Sequence, residues 1–88
     1  MSSSRAQTLL RYVGANVRRL REACDWTQKD LADKAAMSWR SVQDLERGSG
    51  NPTLKLLIAV AHALRVDPSD LFAATKVEKR EPGRPPEN

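Results

Sequence analysis

The spacing of apolar residues constrains this chain more than any other feature. Leu10, Val13, Val17, Leu20 and Cys24 recur at gaps of three, four, three and four, the period of one face of an α-helix. Leu54, Leu57, Ile58, Ala61 and Leu64 form a second such stripe further on. Nowhere do apolar and polar residues alternate as in a half-buried strand, and no segment repeats another. The expectation is an all-α domain. At 88 residues the chain makes one small domain, and small domains bury a low fraction of their surface. Cys24 is the only cysteine and His62 the only histidine, so neither an intrachain disulfide nor a metal site is supplied. Apolar packing, helped by a partner subunit, is left to hold the fold.

Capping residues divide the chain into five helices. The first spans about residues 6–24. Gly14 lowers its intrinsic stability and reads as a close-packing position. Thr27 is a good N-cap for the second helix, 28–35. Asp30 stands in the place of the capping-box Glu, and Trp26 and Leu31 occupy the positions of a hydrophobic staple. After a break at 36–38, Ser38 caps a third helix, 39–47, with Val42 and Leu45 inward and Gly48 as its stop. Thr53 caps the fourth, 54–64. Asp67 as N-cap, Pro68 at the first position and Asp70 at the third start a short fifth helix, whose apolar side carries Leu71 and Phe72. The domain then occupies 6–75. Residues 1–5 read as a flexible start and 76–88 as a disordered, charged, Pro/Gly-rich tail.

The formal charge is +4. Nine basic and six acidic residues fall in 1–47, so the excess sits mostly in the first half. That balance permits nucleic-acid binding. No apolar run approaches the roughly 18 residues that span a bilayer, and residues 1–5 lack the apolar segment of a signal peptide. A lone cysteine suits a reducing compartment, so a cytoplasmic protein is expected. His62 has no acidic neighbour at helical spacing. No catalytic set is visible; neither enzymatic activity nor a cofactor, metal or small-molecule effector is expected. Cys24 reads as a small core residue.

Residues 27–48 carry the functional information. A helix of about two turns, a three-residue break and a short helix ending in glycine make a helix-turn-helix arrangement. Many all-α domains contain such a pair. Here, however, Thr27, Gln28, Leu31, Ala32, Lys34 and Ala35 are followed in step by Met37, Ser38, Val42, Leu45, Glu46, Arg47 and Gly48. Asn51, Pro52, Thr53, Leu57, Ala61, Leu64 and Leu71 continue the pattern. Over residues 13–72 the chain resembles the Xre/Cro/C1-type family of phage-repressor-like helix-turn-helix domains. The resemblance implies a compact five-helix domain that binds operator DNA, usually as a dimer, with helix 39–47 in the major groove.

Roles follow residue by residue. Gln28 matches the family position at the start of the second helix, where a phosphate is met; free N–H groups and the helix dipole favour an anion there. Ser38, Trp39 and Arg40 open the recognition helix. Arg40 can pair bidentately with guanine or hold a phosphate. Ser41, Gln43, Asp44 and Arg47 follow on the exposed side. Gln43 can read adenine; Asp44 can accept from cytosine or hold Arg40 four residues back. Arg47 suits DNA and also the helix C-terminus. Trp39 stands where many relatives carry a small or amide side chain. It either meets a thymine methyl or a sugar, or folds back on Met37. A free Glu46 carboxylate would repel phosphate, so a structural role beside an arginine or a backbone N–H is expected. Relatives often place glycine at the positions of Asp25, Ala36 and Arg65, which puts the angle of the recognition helix in question.

Leu56 is apolar where the family usually tolerates a polar residue. With Val60, Leu71 and Phe72 it is expected to form a two-fold dimer interface, or else additional core. The reading is a DNA-binding transcriptional regulator acting on a palindromic operator as a homodimer, with restriction–modification controllers as a close variant. The alternative is an antitoxin or protein-interaction module using the face of helices four and five.

Overall fold

The computed structural model describes residues 4–77. The rest of the expected flexible start and tail, 1–3 and 78–88, lies outside the described residues. Four α-helices follow one another: α1 (Ser4–Ala23), α2 (Gln28–Ala35), α3 (Trp39–Arg47) and α4 (Leu54–Leu64), before a 3-10 helix at Pro68–Phe72. There is no strand among the described residues. The all-α class holds, but the fifth helix is one short 3-10 segment, so there are four α-helices rather than five. Its five residues are too few for a stable α-helix, and Asp67 and Asp70 tie its start in a capping box while Ala73 is already extended. Helix α1 also begins at Ser4, ahead of the expected start at Ala6.

All the expected N-caps form. The side chains of Thr27, Ser38 and Thr53 accept hydrogen bonds from the N–H groups of Asp30, Ser41 and Leu56. The other ends share one device. Asp25, Ala36, Gly48 and Arg65 all take left-handed backbone geometry. The next residue's N–H then reaches back to a carbonyl five positions earlier: Trp26 to Arg21, Met37 to Ala32, Ser49 to Asp44 and Val66 to Ala61. This is the Schellman closure, and its usual apolar contact is present, because Trp26, Met37 and Val66 pack on the core. The chain keeps the glycine geometry at three non-glycine sites, at about 1 kcal/mol each.

The core collects Val13 and Val17 of α1, Leu31, Ala32 and Ala35 of α2, and Val42 and Leu45 of α3. Leu57, Val60, Ala61 and Leu64 of α4 and Leu71 complete it. Four residues are placed differently from expectation. Cys24 lies beyond the end of α1 and is exposed. Leu54 and Ile58, expected in the core, are exposed, whereas Val60 is fully buried. Helix α4 is apolar nearly all round, so its neighbours, not its periodicity, choose the inward face. Buried Asn16 fastens the 3-10 segment to α1: its Nδ2 donates to the carbonyls of Leu71 (2.8 Å) and Ala73 (2.9 Å). Its oxygen accepts from Arg19 (3.0 Å).

Candidate nucleic-acid interface

Helices α2 and α3 are set against each other by Leu31 and Ala35 on one side and Val42 and Leu45 on the other, all buried. The left-handed Ala36 makes the turn between them. Helix α1 supports α3 from behind at two points. At Gly14 the helices approach so closely that a Cβ there would lie 2.6 Å from the Leu45 carbonyl oxygen and 2.7 Å from that of Glu46. One side of α3 therefore rests on a glycine that only a missing side chain makes possible. This is the close packing that the sequence suggested.

The second support is ionic. Arg21 binds Glu46 in bidentate fashion, Nε to Oε2 at 2.6 Å and Nη2 to Oε1 at 3.0 Å. Its Nη1 donates to the Trp26 carbonyl at 2.6 Å. The side chains are only 11% and 5% exposed. The hydrogen bond to Glu46 raises the Arg21 pKa, against burial, which works to lower it. One guanidinium thus links the end of α1, the α1–α2 loop and α3. Glu46 has the structural role expected of it. Its partner could not be named from sequence, because Arg21 lies 25 positions away and no local pattern marks the pair.

Gln28 joins this network. Its Nε2 donates to Glu46 Oε1 (3.1 Å). A carboxylate can only accept, so the amide must turn its oxygen away. That oxygen accepts from the indole Nε1 of Trp39 at 3.3 Å. Both ends of the Gln28 side chain are therefore occupied within the protein, which the sequence did not signal. Lys29 Nζ lies 5.7 Å from the centroid of the Trp39 ring, within cation–π range. Trp39 remains 49% exposed.

The outward face of α3 holds the other predicted residues. Ser38 Oγ is engaged with Ser41, its N–H and its hydroxyl both at 3.0 Å. The Arg40 side chain is 79% exposed. Asp44 Oδ1 stands 3.8 Å from both Arg40 Nε and Arg47 Nη1. These are loose, solvent-screened pairs, which leave both arginines available to a stronger anion. Gln43 is half-buried and Arg47 exposed. All eight predicted residues thus lie on α3, its cap, or the start of α2. The predicted dimer residues do not stay together. Val60 and Leu71 are completely buried and Leu56 packs on the same core, so within the subunit they are core residues. Phe72 alone of the four is exposed. Their sequence pattern is that of core and interface alike, and for Val60, Leu71 and Leu56 the additional-core alternative describes their place within the subunit. Among the described residues, no helix is long and apolar enough to cross a membrane.

A helix-turn-helix family model matches residues 17–71. The chain belongs to the Xre/Cro/C1-type helix-turn-helix family. Among its relatives is the immunity repressor protein of Bacillus phage phi105, 36% identical over 69 residues, covering 78% of this chain and 48% of the relative. The chain thus spans about half the length of that repressor. An uncharacterised HTH-type transcriptional regulator, y4dJ, of Sinorhizobium fredii is 36% identical over 63 residues, covering 72% of this chain and 82% of the relative. Among solved structures, the restriction-modification controller protein C.AhdI from Aeromonas hydrophila superposes with a TM-score of 0.69 at 33% identity. The match covers 72% of this chain and 96% of that one.

Proposed function

We propose that this member of the family is a sequence-specific DNA-binding transcriptional regulator that acts as a homodimer on a palindromic operator. The observation that carries the reading is the asymmetry of α3. Its rear is locked to α1 by Gly14 and by the Arg21–Glu46 pair, while Trp39 and Arg40 at its start and Arg47 at its end project outward. A rigid helix with an exposed, cation-bearing face suits insertion into a major groove about 12 Å wide. Arg40 reads guanine, Gln43 adenine, and Arg47 holds a phosphate. Asp44 keeps the two arginines extended until DNA replaces it. Ser38 and Ser41 order the first turn, and at Gln28 the backbone of α2 rather than the occupied side chain meets the phosphate.

Dimerisation is supported by the large apolar side chains left exposed, Leu54 and Ile58 one turn apart on α4 and Phe72 beyond it. In such a dimer the recognition helices are about 34 Å apart, one turn of DNA. The likeness to C.AhdI supports the narrower reading of a restriction–modification controller.

Selection of bound duplexes from a random pool tests the proposal. It should recover a site with two-fold symmetry, half-sites alone should bind much more weakly, and Arg40→Ala should relax the preference at one base pair per half-site. A monomer at high micromolar concentration in sedimentation, or a pool that never converges, would refute it.

A further inference from the structure

We infer that Trp39 reads a thymine through its C5-methyl group, by apolar contact alone. The inference rests on the DNA-binding reading above and adds what the first residue of α3 recognises.

Three observations lead to it. An indole has one polar atom, its N–H, which can only donate. In Trp39 that donor is already directed to Gln28 Oε1 at 3.3 Å. Gln28 is held in the orientation that accepts it, because its own N–H₂ donates to the Glu46 carboxylate, itself fixed by Arg21. The indole is thus fastened at the end of a relay that starts at a nearly buried ion pair. Nevertheless about half of it remains exposed. The surface it offers at the start of the recognition helix is therefore carbon.

Lys29 adds direction. Its ammonium, 5.7 Å from the ring centroid, keeps a cation beside the indole. That arrangement is suited to an apolar contact on the base edge flanked by backbone phosphate. In the major groove only thymine, among the four bases, presents an apolar group at its edge. Guanine and adenine would place hydrogen-bonding atoms against carbon and leave them without a partner, and cytosine offers only a C5–H where thymine has its methyl. Selectivity at this position then comes from one methyl group, and burying one carbon of that kind is worth about 0.8 kcal/mol, or roughly four-fold in affinity.

The test uses the full chain and the duplex recovered by random-pool selection. Each thymine is replaced singly by 2′-deoxyuridine, which removes the methyl and leaves every hydrogen-bonding group. The wild-type chain should lose affinity about four-fold at one thymine in each half-site. Trp39→Ala should bind thymine and uracil duplexes equally, whatever its overall affinity. Trp39→Phe should keep part of the penalty, and Trp39→Gln, selected afresh, should no longer prefer thymine there. A wild-type chain indifferent to every methyl overturns the assignment, as does a penalty that survives in Trp39→Ala. A penalty insensitive to both Trp39→Phe and Trp39→Gln also overturns it. These outcomes are distinct from a pool that never converges, which overturns the DNA-binding reading itself.

Discussion

Replacing Gly14 by alanine sets two effects of opposite sign against each other. By helix propensity the change stabilises α1 by about 1 kcal/mol. By packing it destabilises, because the new Cβ would lie 2.6 Å and 2.7 Å from the carbonyl oxygens of Leu45 and Glu46. Ordinary Cβ contacts do not occur below 3.0 Å. Both obstacles are main-chain atoms of α3, so no side-chain rotation relieves them. The helices must separate by several tenths of an ångström, and the Arg21–Glu46 pair that spans the same interface must stretch. Overpacking of this kind costs about 1–3 kcal/mol, and rigid backbone on both sides puts it at the upper end. The net expectation is a loss of about 2 kcal/mol. For a domain of this size that lowers Tm by roughly 8–16 °C. Circular dichroism during heating, with urea titration as a second measure, reads the loss directly. An unchanged or raised Tm for Gly14→Ala would show that the α1–α3 contact yields freely, and the account of how α3 is held would be wrong.

Other consequences are open to the same methods. Arg21→Met leaves Glu46 buried without its cation and should cost about 3 kcal/mol, whereas Arg21→Met with Glu46→Leu should cost less than the single change; additive losses in that cycle would contradict the buried pair. Ala36→Gly and Arg65→Gly remove the left-handed penalty and should each stabilise by several tenths of a kcal/mol or more in thermal melts, despite the greater freedom of glycine in the unfolded chain. The backbone N–H of Thr27 holds the Asp30 carboxyl below its ordinary value of 3.8, and the hydroxyl and N–H of Ser69 do the same for Asp67. Stability from these caps is present above that value and lost as pH falls below it. Melts followed from neutral pH to about pH 3 should therefore fall less steeply for the doubly substituted Asp30→Asn, Asp67→Asn chain.

Local chemistry was legible from the residues, and tertiary choice was not. Thr27 with Asp30, Ser38, Thr53 and Asp67 marked helix starts because a cap acts on N–H groups two or three positions away. Asp25, Ala36 and Arg65, at positions where relatives often carry glycine, are the three non-glycine residues with positive φ among the described residues. The α2–turn–α3 unit was legible for the same reason. The fifth helix was read correctly at its start and wrongly in kind, since a cap fixes where a helix begins and not how it is wound. Leu54 and Ile58 share a stripe with Leu57, Ala61 and Leu64 and yet face outward, because on a helix apolar on nearly every side the period does not by itself choose the inward face.

By itself, then, the sequence determined the four α-helices, the caps that start α2, α3 and α4, the family and the residues on the outer face of α3. All of these depend on interactions a few positions apart or on a pattern that runs along the chain. Only the tertiary structure decided which side of α4 is core, that Gly14 lets α1 touch the backbone of α3, and that Arg21, Glu46, Gln28 and Trp39 form one relay. Those contacts join residues far apart along the sequence, Gly14 and Glu46 by 32 positions. Their geometry exists only once the core has closed and excluded the water that would otherwise satisfy each polar group separately.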